Sequence, residues 1–290
     1  MTLLALSLVI IAAFLHASWN LASKQASDAG TSFIFVFRLC SVIIYLPWVI
    51  YILVSQSMVW QWQTAGILVL SSVLHLAYTV LLLKGYQAAD LSIVYPVARG
   101  SAPVFASIAA VIWLNEHMHV SQAIGIACVA GGILLMATRG DWRQFAQPAA
   151  WTGIRWGLII SLFIATYSIV DAYAVKTMLI MPVVLDWVSS LGGAVLLGPN
   201  VWANRRGFRH RMQGKWLLAM WVGLASPLAY ILVLYALRLG ANVSQVAPLR
   251  EMSMVMATFI GAIWLKEQVG FTRWLGCVVI VTGVVLISLS

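Results

Sequence analysis

Apolar stretches of about 20 residues, each long enough to cross a bilayer, follow one another along this chain with only short polar connections between them. The pattern predicts ten spans, at about 3–23, 31–54, 62–83, 91–114, 121–138, 152–175, 182–202, 216–237, 243–265 and 271–289. Met1–Ala13 lacks a basic leader region and reads as the start of the first span, with no signal peptide evident. The longest polar stretches, Arg139–Ala150 and Asn204–Lys215, run about a dozen residues each, too few for a separate soluble domain.

The fourth stretch breaks the pattern. In LSIVYPVARGSAPVFASIAAVIWL (91–114), Arg99 sits near the middle with Pro96 and Pro103 on either side. A second copy, NVSQVAPLREMSMVMATFIGAIWL, occupies 242–265. A shift of 151 positions lays Arg99 on Arg250, Ile112-Trp113-Leu114 on Ile263-Trp264-Leu265 and Glu116 on Glu267. The same shift continues through Gly125/Gly276, Gly132/Gly283 and Leu135/Leu286. Ahead of the arginine the shift is 152, pairing Pro96 with Pro248 and Ser92 with Ser244, so one residue is missing where a break is expected. Five spans per copy is an odd number, so the second copy must enter the membrane the other way up. The expected fold is an all-α integral membrane protein of ten transmembrane helices, built as two inverted five-helix repeats over 1–140 and 141–290. A broken, charged span repeated in both halves points to a transporter's binding site.

Composition agrees. The chain is 62% hydrophobic and 9% charged, against about 25% charged in soluble domains. Its net charge of +9 would suggest nucleic acid in a soluble protein, but here the cations sit in loops, where they set orientation and meet lipid headgroups. The loops after spans 1, 3, 5, 7 and 9 hold Lys24, Lys84, Arg139, Arg143, Arg155, Arg205, Arg206, Arg209, Arg211, Lys215, Lys266 and Arg273, whereas the other side holds Lys176 and Arg238. That imbalance places the first set in the cytoplasm and both termini outside. Trp60, Trp62, Trp142, Trp156, Trp202, Trp216, Trp264 and Trp274 fall at span ends, as an interfacial belt requires. Gly153-x-x-x-Gly157, Ala106-x-x-x-Ala110, Gly131-Gly132 and Gly192-Gly193 are close-packing signals. Cys40, Cys128 and Cys277 lie far apart in apolar segments, without disulfide or metal spacing.

An ionisable group at membrane depth costs at least about 2.5–3.5 kcal/mol and needs a partner or a wet cavity. Arg99 and Arg250 could clamp a carboxylate or phosphate between two guanidinium forks near the midplane. Alternatively each is a structural staple, paired for example with Asp171 or Glu251. His16 and Asn20 share a helix face, with Trp19 beside them, and the shift of 151 places them on Tyr167 and Asp171. These residues, with Tyr95 next to Pro96, complete the candidate binding set. Asp171, Glu251 and His16 are the groups most able to carry a coupling proton. His75 reads as a packing histidine, Asp186 is a further polar residue of span 7, and Arg38 is close enough to a span start to snorkel. Glu116-His117-x-His119 resembles a metal cluster, but its mate, Glu267-Gln268-x-Gly270, has no histidines, so a glutamate starting or capping the next helix is expected instead. No cofactor or metal is expected.

Together the run HASWNLASK (16–24), the paired P-x-x-R and P-x-R segments (96–99, 248–250) and the paired IWLNE/IWLKE endings (112–116, 263–267) resemble the EamA-like branch of the drug/metabolite transporter superfamily, over essentially the whole chain. The resemblance implies a cavity lined by spans 1, 3, 4, 6, 8 and 9 and secondary transport by alternating access, often export of metabolites such as amino acids. It suits basic residues on spans 4 and 9, and it implies cytoplasmic termini, opposite to the charge count. The expected activity is secondary export of a small anionic or zwitterionic metabolite across a bacterial inner membrane, driven by protons or exchange, by a monomer or homodimer. A multidrug/proton antiporter is the alternative. An intramembrane enzyme would need a converging nucleophile and base, or metal ligands, which the sequence does not suggest.

Overall fold

The computed structural model describes residues 1–55, 61–138, 140–148, 150–263, 266 and 269–289, with the side chains of all but 83, 91, 144 and 146. Of the sequence expectations, those on Trp60, Arg139, Trp264, Leu265, Glu267 and Gln268 lie outside the described residues. The described chain is helical: α1 (Leu3–Gln25), α2 (Thr31–Ser55), α3 (Trp62–Ala88), α4 (Leu91–Trp113), α5 (Val120–Thr138), a short α6 (Arg143–Ala146), α7 (Ala150–Lys176), α8 (Pro182–Ala203), a short α9 (Phe208–Met212), α10 (Trp216–Arg238), α11 (Val243–Leu249), α12 (Met252–Ile263) and α13 (Phe271–Ser288). With α11 and α12 counted as one crossing, ten segments among the described residues are long and apolar enough to span a membrane, as expected. In hydrocarbon each must satisfy its own backbone, which a helix does.

The helices pair across the two halves. α5 packs on α13, α2 on α8 and α4 on α11, each helix against its own counterpart. α4 also packs on α7 and α1 on α12, while α1 packs on α10 and α3 on α7. Exchanging the halves converts each of these contacts into another on the same list, a pattern consistent with an inverted repeat. The small residues explain the closest approaches. A methyl on Gly132 would stand 2.8 Å from the carbonyl of Gly276, and one on Gly276 would stand 2.8 Å from the carbonyl of Gly132. Gly125 and Gly283 face each other in the same way. Gly153 and Gly157 admit Ile93 and Val97 of α4 to the surface of α7, and Ala106 and Ala110 are buried in the main core.

The two arginine-bearing spans are not alike. α4 runs unbroken from Leu91 to Trp113 with Pro96 and Pro103 inside it, contrary to the expected break at Arg99. The matching span divides at Arg250-Glu251 into α11 and α12. There the amides of Glu251, Ser253 and Met254 bond the carbonyls three residues back, at 3.0, 3.1 and 2.9 Å. Three-residue turns advance the chain with fewer residues per turn than the α-helix, and they absorb the one residue that this copy lacks. With its full register, α4 continues past its prolines.

On the membrane face that carries the loops after α1 and α8, Lys215 bonds the exposed Asp28 carboxylate and holds it below the usual carboxylate range. Trp62, Trp142, Trp202 and Trp216 are exposed, as a belt requires, whereas Trp156 is half-buried against α4.

Candidate functional site

Polar side chains from α1, α3, α4, α7, α10 and the α11–α12 break converge inside the bundle. Arg99, on α4, places its Nη2 3.0 Å from Glu251 Oε2 and donates to Ser253 Oγ at 3.4 Å. The Glu251 oxygen lies near the guanidinium without a well-directed hydrogen bond, and Arg99 Nε is buried without a partner. The contact is an ion pair across the halves, in the sense of a staple. Glu251 follows Arg250 directly, and its counterpart in the first copy is Gly100. Arg250 therefore has no mirrored acid, and among the described residues it makes no salt bridge. Its guanidinium lies instead over the Tyr230 ring, 5.4 Å from the centroid. The two arginines therefore differ: Arg99 is paired with Glu251, whereas Arg250 rests on an aromatic face.

Asp171, on α7, is fully buried. Its Oδ2 accepts from Tyr230 Oη at 2.5 Å and lies 2.9 Å from His75 Nε2, while Oδ1 has no partner. Rings surround this acid. The His75 and Tyr167 centroids are 4.2 Å apart, those of His75 and Tyr230 5.3 Å, and those of Tyr78 and Tyr167 5.7 Å. His75 is satisfied, as a packing histidine should be, but its partner is the central acid. Tyr230 and Tyr78 are absent from the sequence-derived set. A signal for both exists, since Leu-Ala-Tyr at 76–78 recurs at 228–230 under the shift of 152.

The span-1 residues sit to one side. His16 lies in the field of both Arg99 and Arg250 and packs edge-on to Trp19, with centroids 4.8 Å apart. Asn20 turns back to donate to the His16 carbonyl at 2.8 Å. Tyr95, half-buried one turn before Arg99, shares its electrostatic neighbourhood. Arg38 does not snorkel: it donates across the bundle to the Ser189 carbonyl at 3.2 Å and to Thr79 Oγ1 at 3.3 Å, because Gly193 leaves room for its guanidinium. Asp186 shares the electrostatic neighbourhood of Arg38, His75 and Asp171.

Space at the site is tight. The cavity lined by Ser168, Tyr230, Ala247 and Arg250 measures about 10 Å³, the lower limit for one water. This small cavity beside Arg250 thus has room for about one water. A second hollow, of about 300 Å³, lies nearer the surface around Glu116, Lys176 and Gln245.

Glu116 is itself a correction. It does not cap the helix that follows it, whose start is served by Gln122 accepting from the His119 amide at 3.0 Å. Instead it caps α11 of the other half. Oε1 accepts from the Val243 amide at 2.7 Å, and Oε2 accepts from the Ser244 amide at 3.0 Å and the Ser244 hydroxyl at 2.8 Å.

Comparison with known proteins gives matches of three kinds. The profile of the EamA-like transporter family, a branch of the drug/metabolite transporter superfamily, matches residues 3–138 and again 151–289. A protein of Sinorhizobium sp. described as "Uncharacterized transporter in cobO 3'region" is 34% identical over 73 residues, or 25% of this chain. The chain spans about half the length of that relative, 51%. A crystal structure described only as that of a protein superposes with a TM-score of 0.75 at 14% identity, covering 98% of this chain and 96% of that one. The last likeness shows the fold alone.

Proposed function

The chain belongs to the EamA-like transporter family, and from that premise we propose that it is a secondary active exporter of a small zwitterionic or anionic metabolite such as an amino acid, worked by alternating access between two inverted five-helix halves, 1–140 and 141–290. One observation carries the reading. Tyr230 holds Arg250 over its ring and Asp171 on its hydroxyl, so the cation without an ion pair and the buried acid with a vacant oxygen share one neighbour. A substrate carboxylate would take Arg250, as guanidinium forks favour, and a substrate ammonium would take Asp171 Oδ1 and the faces of Tyr167 and Tyr230. Of the three coupling candidates, Asp171 is the one that ammonium would reach, so proton and substrate would compete there. Glu251 is engaged by Arg99, and His16 lies beside the arginines.

A second reading, a multidrug/proton antiporter, gains from the ring of His75, Tyr78, Tyr167 and Tyr230 around a buried carboxylate, which suits a lipophilic cation. Thermal stabilisation of the purified protein separates the two, because a ligand of the folded state raises the melting temperature. L-Phenylalanine is expected to stabilise more than 3-phenylpropanoate or phenethylamine, and Arg250→Ala should abolish the effect. Stabilisation by phenethylamine and cationic dyes alone, unchanged in Arg250→Ala, would install the antiporter reading instead.

A further inference from the structure

We infer that Glu116 is a positioning residue for Arg250: reaching across from the first half, it holds the short helix that carries this arginine closed, and its release opens that membrane face onto the site. The importance given to Arg250 rests on the transport reading above; the latch rests on geometry alone. Asn115 takes a left-handed φ of 52° immediately after α4 and turns the chain back on itself. Glu116 is thereby directed into the second half, where its buried carboxylate accepts three hydrogen bonds from Val243 and Ser244. Lys176 lies 3.5 Å from the same carboxylate and donates to the Ala241 carbonyl at 3.2 Å, tying the turn before α11 to the same acid.

Asn242 occupies the N-cap position of α11 and is one of the residues best suited to cap a helix from there, yet its side chain makes no capping bond. A local cap would have satisfied the same amides without joining the halves. The acid that does so belongs to the other half, so the bond ties the two halves together.

α11 is also a partition. Gln245 lines the outer hollow of about 300 Å³, while Val246 and Ala247 line the small cavity of about 10 Å³ with Arg250. At 1.5 Å per residue, seven residues make a rod about 10 Å long, with Glu116 at one end and Arg250 at the other. Displacing the held end therefore moves the arginine and joins the two spaces.

Cysteine accessibility in nanodiscs tests this without any substrate. Cys40 and Cys128 are replaced by alanine, the buried Cys277 is kept as an internal control, and Ala247→Cys reports on the inner cavity. With a charged methanethiosulfonate reagent, Glu116→Gln is expected to raise the labelling rate at position 247 at least tenfold, and Ser244→Ala and Lys176→Met to raise it less, with Cys277 unchanged. Equal rates at 247 in all three variants would overturn the latch. So would a parallel rise at Cys277, which signifies general loosening. Should Glu116→Gln fail to fold, Ser244→Ala and Lys176→Met decide by the same criterion. Where L-phenylalanine stabilises the parent, the latch also requires its apparent affinity to change in Glu116→Gln; absence of stabilisation in the parent would count against the transport reading, with the labelling still deciding the latch.

Discussion

Arg99 and Arg250 hold the same place in the two copies and meet different surroundings, because Glu251 stands where the first copy has Gly100. Their substitutions should therefore fail in different ways. Arg250→Ala is expected to lose ligand stabilisation and transport while keeping the parent's melting behaviour. Arg99→Ala leaves Glu251 buried without its counter-ion, and removing one partner of a buried pair costs about 3–5 kcal/mol. Glu251→Gln should destabilise in the same direction, and the pair Arg99→Met with Glu251→Leu should recover much of the loss, as read from unfolding in mixed micelles. Tyr230→Phe keeps the ring under Arg250 and withdraws the hydroxyl from Asp171, at a cost on the order of 1–3 kcal/mol; under the zwitterion reading it weakens L-phenylalanine more than 3-phenylpropanoate. At this scale the sequence was legible as far as charge and repeat extend. Both arginines and Asp171 stand out as ionisable groups at membrane depth, whereas Tyr230 and Tyr78 carry no charge and look like ordinary span residues until their Leu-Ala-Tyr runs are aligned. His75 could not be assigned to Asp171 because no local spacing relates α3 to α7.

The spans themselves were the most readable feature, since bilayer thickness fixes their length and lipid demands helices. Continuity within a span was harder. Two prolines and a charge predict a break in α4, but proline removes one backbone bond and neighbouring helices can re-satisfy the freed groups. The register decides instead, for only the copy with the missing residue divides. The glycines give a direct test of helix contact. Gly132→Ala drives a methyl against the α13 backbone and should destabilise by about 1–3 kcal/mol. Its neighbour Gly131 has nothing within 4 Å of that methyl, so Gly131→Ala should gain up to about 0.5–1 kcal/mol from the better helix former. Equal effects at the two positions would show that α5 does not meet α13 as described. Glu116 marks the limit of reading elements one at a time: the glutamate was legible as a cap, but the helix it caps lies more than a hundred residues further along the chain.

For the whole molecule, an even number of crossings puts both termini on the face that holds Glu116 and Lys176, and the loops with most of the Lys and Arg on the other. The positive-inside rule then predicts that Leu289→Cys is labelled by an impermeant maleimide added to intact cells. Labelling only after permeabilisation would favour the cytoplasmic termini that the family resemblance implies. Two halves identical in sequence would interconvert between conformations related by a two-fold axis and of equal free energy, leaving each membrane side equally visited. The residue absent from the α11–α12 crossing removes that equality, since one half must carry a tightened turn that the other does not possess. Under the transport reading proposed above, such a carrier with no ligand and no gradient would rest unevenly between its two openings, while the gradients alone would still set the direction of net flux.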